Sequence, residues 1–476
     1  MRPEGGTSSL LPTKMAPAPI ALEGLRVAVF GMGRSGKAVT DFGVARGAVV
    51  TVLDERPADE LTEALEHLSE LDVQLVPGVE SYEQFGDPEL VVISPGVPYD
   101  HRLLQAARAA GAKIIGEIEL AYRFCEVPLI AVTGTNGKGT VVTLIGEMLS
   151  RSGIKATVAG NIGAPLIAAV ATTEPLDVIV AEISSFQLET VERFKPWLGI
   201  LLNLSADHCD RHPDMDEYLA LKARLFANQE AADLAVLNSD DSRVAGLQSQ
   251  LAATVLPVSL YDEDAAGYLA GGDLVVRLPG REPLRLCSEA DLPVRGLHNI
   301  TNALCASVAA AACGAPSAAM AEAIRHHRPP PHLLQDAGTV NGIKFIDDSK
   351  ATNPAAAIAD LSTIEGPVIV IAGGRAKHVD LSEFAATAAA RAEQVVLIGE
   401  SAAEIAGAIA ARAPVIMAQS LEEAVHRAFE LAGPGYTVLL APACASFDMF
   451  DNMAQRGEVF CAIVKRLAER FPQDNA

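Results

Sequence analysis

Residues 127–140 read VPLIAVTGTNGKGT. An apolar run of strand character meets a glycine-rich turn. The turn opens VVTLIGEMLSRSG, an apolar-periodic stretch that predicts a helix capped by Gly153. Strand, glycine turn and helix in that order make a phosphate cradle, because successive backbone N–H groups converge at a helix N-terminus. The spacing is unusual. The common P-loop is G-x-x-x-x-G-K-[ST]. Here Gly134 and Gly137 enclose only two residues, and Gly139 separates Lys138 from Thr140. Gly134, Thr135, Asn136, Gly137, Lys138, Gly139 and Thr140 are the candidate nucleotide contacts. The N–H groups of Thr135 to Thr140 suit phosphate oxygens, and Lys138 suits the β- and γ-phosphates as a point charge. The Thr140 hydroxyl suits Mg²⁺.

Working outward, LDVIVAEIS (176–184) and LGILLNLS (198–205) are apolar runs that end in polar residues. Ligand groups collect at such carboxyl ends of buried parallel strands. Glu182 lies near one end, where a charge is costly unless it is paired or metal-bound. It reads as a metal ligand, with a structural salt bridge as the alternative. NLSADHCDRH (203–212) follows the other run, and His208 there can be a ligand or a structural histidine. Lys222, in EYLALKARLF, reads on its residues alone as one lysine on a solvated helix face. In GLHNITNAL (296–304), Asn299 and Asn302 sit one helical turn apart and share a face. Their amides suit a purine edge, or Asn299 caps the Ala-rich helix expected over about 299–313.

On the N-terminal side, LRVAVFGMGRSGKAVTDFGVARGAVVTVLDER predicts a βαβ unit. Gly31–Gly36 fits G-x-G-x-x-G after a strand, and Asp54 closes the next strand. A dehydrogenase, a plain turn, and a non-redox site for another diphosphate all satisfy that stretch alone. On the C-terminal side, Pro329-Pro330-Pro331 is the strongest boundary signal. Beyond it, strands alternate with Ala-rich helices. DDSKATNP (347–354), GGRAKHVD (373–380) and APACASFDMFDNMAQRG (441–457) follow strand ends and together suggest a ligand-facing surface.

The chain as a whole sets limits. Its 476 residues suggest about three domains. The net charge of -23 argues against a nucleic-acid partner. Seven cysteines without a C-x-x-C pair read as small buried hydrophobes in a reducing cytosol. No run of 18 apolar residues predicts a membrane span. The expected architecture is α/β with three domains. These are a Rossmann-like N-terminal domain (21–116), a central P-loop ATPase-like domain (117–329) and a C-terminal Rossmann-like α/β domain (330–476). Residues 1–20 read as a disordered extension.

TGTNGKGT, AEISSFQLE, NLSADHCDR, the Lys222 helix, GLHNITNAL, DDSKATN and PACASFDMF follow one another in an order that resembles the Mur ligases. These are ATP-dependent amide ligases of peptidoglycan precursor synthesis. The resemblance spans residues 22–460. It is nearest to the branch that adds D-glutamate to UDP-N-acetylmuramoyl-L-alanine. The D-N-P-R stretch usual in the diaminopimelate- or lysine-adding branch is missing.

The resemblance implies a cytoplasmic, monomeric enzyme using ATP and two Mg²⁺. It implies catalytic roles for Lys138, His208 and Lys222. Thr140, Glu182, His208 and Lys222 match metal-side positions, with Lys222 as the lysine that family members carbamylate. Asn299 and Asn302 match the adenine side, and Asp348 and Lys350 match further ATP contacts. Arg34, Ser35, Asp54, Glu55, Arg56, Asn161, Ser184 and Gln187 match positions facing the UDP-sugar. Thr352, Lys377, Ser446, Phe447 and Met453 match positions around the incoming D-glutamate. Three residues depart from the family pattern. Gly139 stands where Ser is frequent, though folylpolyglutamate synthase relatives share the Gly. Leu333 stands where Arg usually reaches the nucleotide, with Arg328 as a substitute. Arg375 stands where an acidic residue is common. The rival functions are a nicotinamide-dependent dehydrogenase, a non-catalytic ATP-binding regulator and a folylpolyglutamate synthase.

Overall fold

The computed structural model describes residues 9–15, 17–207, 211, 214–294 and 296–471. The described chain forms three sheets. The first is fully parallel, in the order β3 (Gln74–Pro77), β2 (Val49–Asp54), β1 (Arg26–Phe30), β4 (Leu90–Ile93), β5 (Lys113–Gly116). Its central strands are apolar without alternation because helices cover both faces. The order reverses direction between β1 and β4, which opens a crevice at their carboxyl ends. The turn after β1 packs tightly there. A Cβ on Gly36 would collide with the carbonyl of Gly31, so only glycine fits.

The second sheet has nine strands. Its parallel part includes, in order, β11 (Thr254–Ser259), β10 (Leu234–Asn238), β9 (Leu198–Leu201), β6 (Leu129–Thr133), β8 (Val178–Glu182), β7 (Ala156–Gly160). β12 (Gly267–Ala270) pairs parallel to β11, and β13 (Asp273–Val276) and β14 (Leu284–Ser288) extend the edge antiparallel. The register sets Val132 against Glu182 and Thr133 against Leu201. The ends of β6, β8 and β9 therefore deliver the glycine turn, Glu182 and Asn203 to one rim. The helix after the turn is Lys138–Arg151, and Gly153 takes a left-handed φ of 74° just beyond its C-cap.

The third sheet runs β15 (Gln335–Val340), β16 (Ile343–Asp347), β20 (Thr437–Leu440), β17 (Val368–Gly373), β18 (Gln394–Ile398), β19 (Val415–Met417). Only β15 is antiparallel to its neighbour. Along β17, Val368, Val370 and Ala372 join one apolar cluster and Ile369 and Ile371 join the other. The sheet is thus buried on both faces. The contacts divide the chain into two compact units. One holds Met1–Asn203, Tyr218–Asp291 and Thr301–His326, with the first two sheets. The other holds Leu204–Glu217, Leu292–Ile300 and His327–Ala476, with the third. Within 1–20, Leu10 N–H donates to Ala312 O at 2.8 Å and Met15 N–H to Glu126 O at 2.7 Å. No helix among the described residues is long and apolar enough to cross a membrane.

Candidate active site

The glycine turn after β6 is held by its neighbour strand. Thr135 N–H donates to Asn203 O at 3.1 Å, and Asn136 N–H to Asn203 Oδ1 at 2.9 Å. Asn203 Nδ2 returns a bond to Asn136 O at 3.1 Å. Gly137 is the N-cap of the following helix at φ 84°. A Cβ there would lie 2.5 Å from Asn302 Oδ1, so Asn302 packs directly against the loop. Lys138 Nζ folds back onto Gly134 O (2.9 Å) and Thr135 O (2.8 Å). Lys222 Nζ also donates to Gly134 O, at 2.9 Å, with its residue 1% exposed and the Tyr218 ring centroid 4.5 Å away. The solvated-face reading of Lys222 therefore fails. This lysine is in the interior, beside the turn.

Glu182 is buried at the end of β8, where Asn161 Nδ2 donates to its Oε1 at 2.7 Å. Its Oε2 would stand 3.3 Å from a Cβ on Gly139. Glu182 thus stands against Gly139 in the turn. A buried carboxylate against a phosphate-type turn is a hard oxygen donor of the kind that suits Mg²⁺. His208 lies outside the described residues. Among those residues, no group of three or more His, Cys, Asp or Glu side chains is gathered to hold a metal. Asn299 and Asn302 are buried. The helix Leu297–Ala312 begins two residues before Asn299, so Asn299 is in the first turn and not the cap.

At the switch point of the first sheet lies a cavity of about 400 Å³. Arg34, Ser35, Asp54, Arg56, Asn161 and Gln187 are all in its lining. Glu55 and Ser184 are not. Glu55 Oε1 pairs with His101 Nε2 at 3.1 Å. Ser184 forms a capping box with Gln187 at the start of the helix Ser185–Leu188. Asp54 Oδ2 accepts Met32 N–H at 2.7 Å, and both its oxygens accept from Arg56. Burial pushes the Asp54 carboxyl up, but the Arg56 guanidinium and the two backbone donors outweigh it and hold it below the usual range. Arg34 reaches Gly163 O at 3.0 Å and Asn161 O at 3.4 Å. It bridges the first turn to the loop after β7.

In the third-sheet unit, Lys377 Nζ pairs with Asp207 Oδ1 at 2.9 Å, and Asn353 Nδ2 donates to Asp207 Oδ2 at 3.4 Å. Thr352 N–H bonds Lys350 O at 2.8 Å, which tightens the turn after β16. Ser446 is buried and its carbonyl accepts Met449 and Phe450 N–H, whereas Phe447 is 62% exposed. Met453 starts the helix Met453–Arg470, and its carbonyl accepts Ser349 Oγ at 2.7 Å. Arg375 makes a two-pronged pair with Glu400, at 3.0 and 2.9 Å. Leu333 is half-buried, and Arg328 is exposed.

Sequence reasoning missed several organising groups. Asn203 was quoted within its stretch but given no role. Arg456 fixes two loops at once: its Nε donates to Ser349 Oγ (2.9 Å), Nη2 to Ser349 O (2.9 Å) and Nη1 to Cys444 O (3.1 Å). Its signal was faint, a cation in the first turn of a helix whose neighbours are otherwise apolar or polar. Asp360, an acid on the inner face of the helix Pro354–Thr363, was also passed over.

Three family models match the chain. They are the Mur ligase MurD-like N-terminal domain over residues 25–116, the Mur ligase middle domain over 132–310, and the Mur ligase glutamate ligase domain over 334–444. Among curated relatives, UDP-N-acetylmuramoylalanine–D-glutamate ligase of Pelotomaculum thermopropionicum is 44% identical, covering 93% of this chain and 98% of the relative. The ligase of the same name from Geotalea uraniireducens is 40% identical over 93% and 97%. The fold is similar to that of UDP-N-acetylmuramate-alanine ligase from Thermotoga maritima. That match has a TM-score of 0.59 at 19% identity and covers 94% of this chain and 100% of the other. With family models on all three sheets and such identity over nearly its whole length, the chain belongs to the Mur ligase family.

Proposed function

We propose that this chain joins D-glutamate to UDP-N-acetylmuramoyl-L-alanine at the expense of ATP, in the synthesis of peptidoglycan precursors. The observation that carries the reading is the 44% identity to a ligase of that name across 98% of its length. The site geometry supports it. The first-sheet cavity takes the UDP-sugar, with Arg34, Ser35, Asp54, Arg56, Asn161 and Gln187 around it, and Glu55 and Ser184, outside the lining, as further contacts. The turn Gly134–Thr140 takes the ATP phosphates, with Asn299 and Asn302 toward adenine and Asp348 and Lys350 as further contacts. Thr352, Lys377, Ser446, Phe447 and Met453 surround D-glutamate. The domains are taken as 21–116, 117–329 and 330–476. The enzyme acts as a cytoplasmic monomer.

A carboxylate is a poor electrophile, so it is first phosphorylated. The alanyl carboxylate oxygen attacks the γ-phosphorus and ADP departs. The D-glutamate amine then attacks the acyl carbon, loses a proton, and expels phosphate as the amide forms. Lys138 exchanges the carbonyls of Gly134 and Thr135 for phosphate oxygens and offsets their charge. Thr140, Glu182, His208 and a carbamylated Lys222 would hold two Mg²⁺, which supply further charge neutralisation on the transferring phosphoryl group. The carbamate is needed because a bare ammonium repels a cation, whereas a carbamate offers anionic oxygens. Lys377, released from Asp207, pairs with a glutamate carboxylate. Reactants held by separate sheets imply closure upon binding.

ADP release measured against a panel of UDP-muramoyl substrates and amino acids tests this reading. Release that requires both UDP-N-acetylmuramoyl-L-alanine and D-glutamate is expected. Release that ignores the amino acid, or that demands a different one, would overturn it.

A further inference from the structure

Asp348, in the turn after β16, and Asp360, on the helix Pro354–Thr363, are among the most enclosed carboxyls of the chain, at 0% and 3% exposure. They lie within hydrogen-bonding reach of each other. Asp348 Oδ1 accepts Leu334 N–H at 3.1 Å, but its Oδ2 has no donor among the described residues. Two ionised carboxylates are acceptors only, so neither can satisfy the other. One proton between them supplies the missing donor. The surroundings agree. Burial pushes both carboxyls up; the charge and hydrogen bond of Asp348 push Asp360 further up, whereas the hydrogen bond from Asp360 pulls Asp348 back down, as expected if Asp360 is the one that donates. At Asp348, Lys350 also offsets the effect of burial, while Asp347 adds to it. Asp360 faces His298, whose Nε2 is 3.6 Å from Asp360 Oδ1. Burial lowers the pKa of that imidazole and favours its neutral form. Arg456 is a further cation whose field reaches Asp347 and Asp348, and His332 Nδ1 lies 2.6 Å from Asp347 Oδ2.

We infer that Asp360 is a positioning residue for Asp348: the two buried carboxyls hold one proton between them, and that bond fixes the turn that carries Asp348 and Lys350. The functional half of this inference rests on the ATP contacts proposed above. The proton-sharing half does not. The motif DDSKATN shows the first carboxyl but not its partner, 12 residues on along a helix.

The test uses Asp360→Asn and Asp360→Ala in the full chain. Asparagine keeps a donor without a titrating group. A carboxyl raised in the folded state makes the native protein hold a proton that the unfolded chain has lost. Wild-type stability therefore falls as pH rises above the unfolded value near 4. Urea midpoints without ligand, compared between pH 4 and pH 8, should show Asp360→Asn gaining on wild type as pH rises above about 4. A gap that stays constant over that range would overturn the shared proton, whatever the enzyme's substrate. In turnover assays at pH 7.5, Asp360→Ala should raise KM for ATP at least about fivefold, the effect of a buried acceptor left without a donor. kcat should be kept at saturating ATP, and Asp360→Asn should stay near wild type. Equal KM values for the two variants would overturn the positioning role. Loss of D-glutamate ligation in the wild type would instead refute the proposed function and leave the stability result standing.

Discussion

Removing the Arg456 guanidinium should loosen two substrate loops at once. Arg456 is 1% exposed and donates to Ser349 Oγ, Ser349 O and Cys444 O. Ser349 sits between Asp348 and Lys350, and Cys444 lies two residues before Ser446. Burial lowers the Arg456 pKa to about 10, so it is still charged at neutral pH. Methionine matches much of its length without a donor. Arg456→Met strands two carbonyl oxygens, at roughly 1–3 kcal/mol each. Relief from burying a cation offsets part of that. The net expectation is a loss of about 3 kcal/mol. Arg456→Lys should lose less, because an ammonium keeps the charge but cannot fork to both loops. Urea unfolding followed by near-ultraviolet circular dichroism measures the stability term. Initial rates measure the function, with KM for ATP and for D-glutamate rising together in Arg456→Met. A variant within about 0.5 kcal/mol of wild type, with both KM values unchanged, would refute the idea that this residue organises the loops.

Other perturbations follow from the same geometry. Glu117 is completely enclosed, with Oε1 accepting Ile167 N–H at 2.7 Å, and burial raises its pKa from 4.5 to about 7. The folded state holds that proton where the unfolded chain has lost it, so stability falls as pH rises from about 4.5 to 7. A rise of that size is worth roughly 3 kcal/mol. Glu117→Gln should therefore gain about that much on wild type between pH 4 and pH 8, read from the fluorescence of buried Trp197. A pH-independent difference would contradict the assignment. Arg56→Ala should raise KM for the UDP-sugar about tenfold while leaving KM for D-glutamate alone, since Arg56 lines the first-sheet cavity; an unchanged KM would remove it from that site. Lys138→Ala should abolish ligation, with the circular dichroism spectrum and urea midpoint retained. Near-wild-type turnover would sink its role at the phosphates.

What the sequence revealed and what it concealed divide along a physical line. VPLIAVTGTNGKGT declared its strand, turn and helix because each is a local pattern of apolar residues and glycines. Glu182 stood out as a charge in an apolar run, and the three polar stretches after β16, β17 and β20 were visible as strand ends. Lys222 was different. Its helical spacing looked solvated, and only the fold brings it to Gly134 across 88 residues. Arg456 meets Ser349 across 107 residues, and Asn203 meets Asn136 across 67. No local period encodes such meetings, because sheet order and register create them. The antiparallel extension β13–β14 was missed for a related reason. Strands of four and five residues are too short to show a period, and the edge strand β14 is only partly apolar. Ser184 and Gln187 show the converse limit: a capping box and a ligand-facing pair look alike in sequence.

The central claim is that ATP activates the alanyl carboxylate before the D-glutamate amine attacks. UDP-N-acetylmuramoyl-L-alanine carrying heavy oxygen in that carboxylate tests it, with MgATP and D-glutamate present and phosphorus NMR of the released phosphate as the readout. The account predicts that each turnover moves one carboxylate oxygen into the phosphate. Amide formation with all the label absent from phosphate would contradict it.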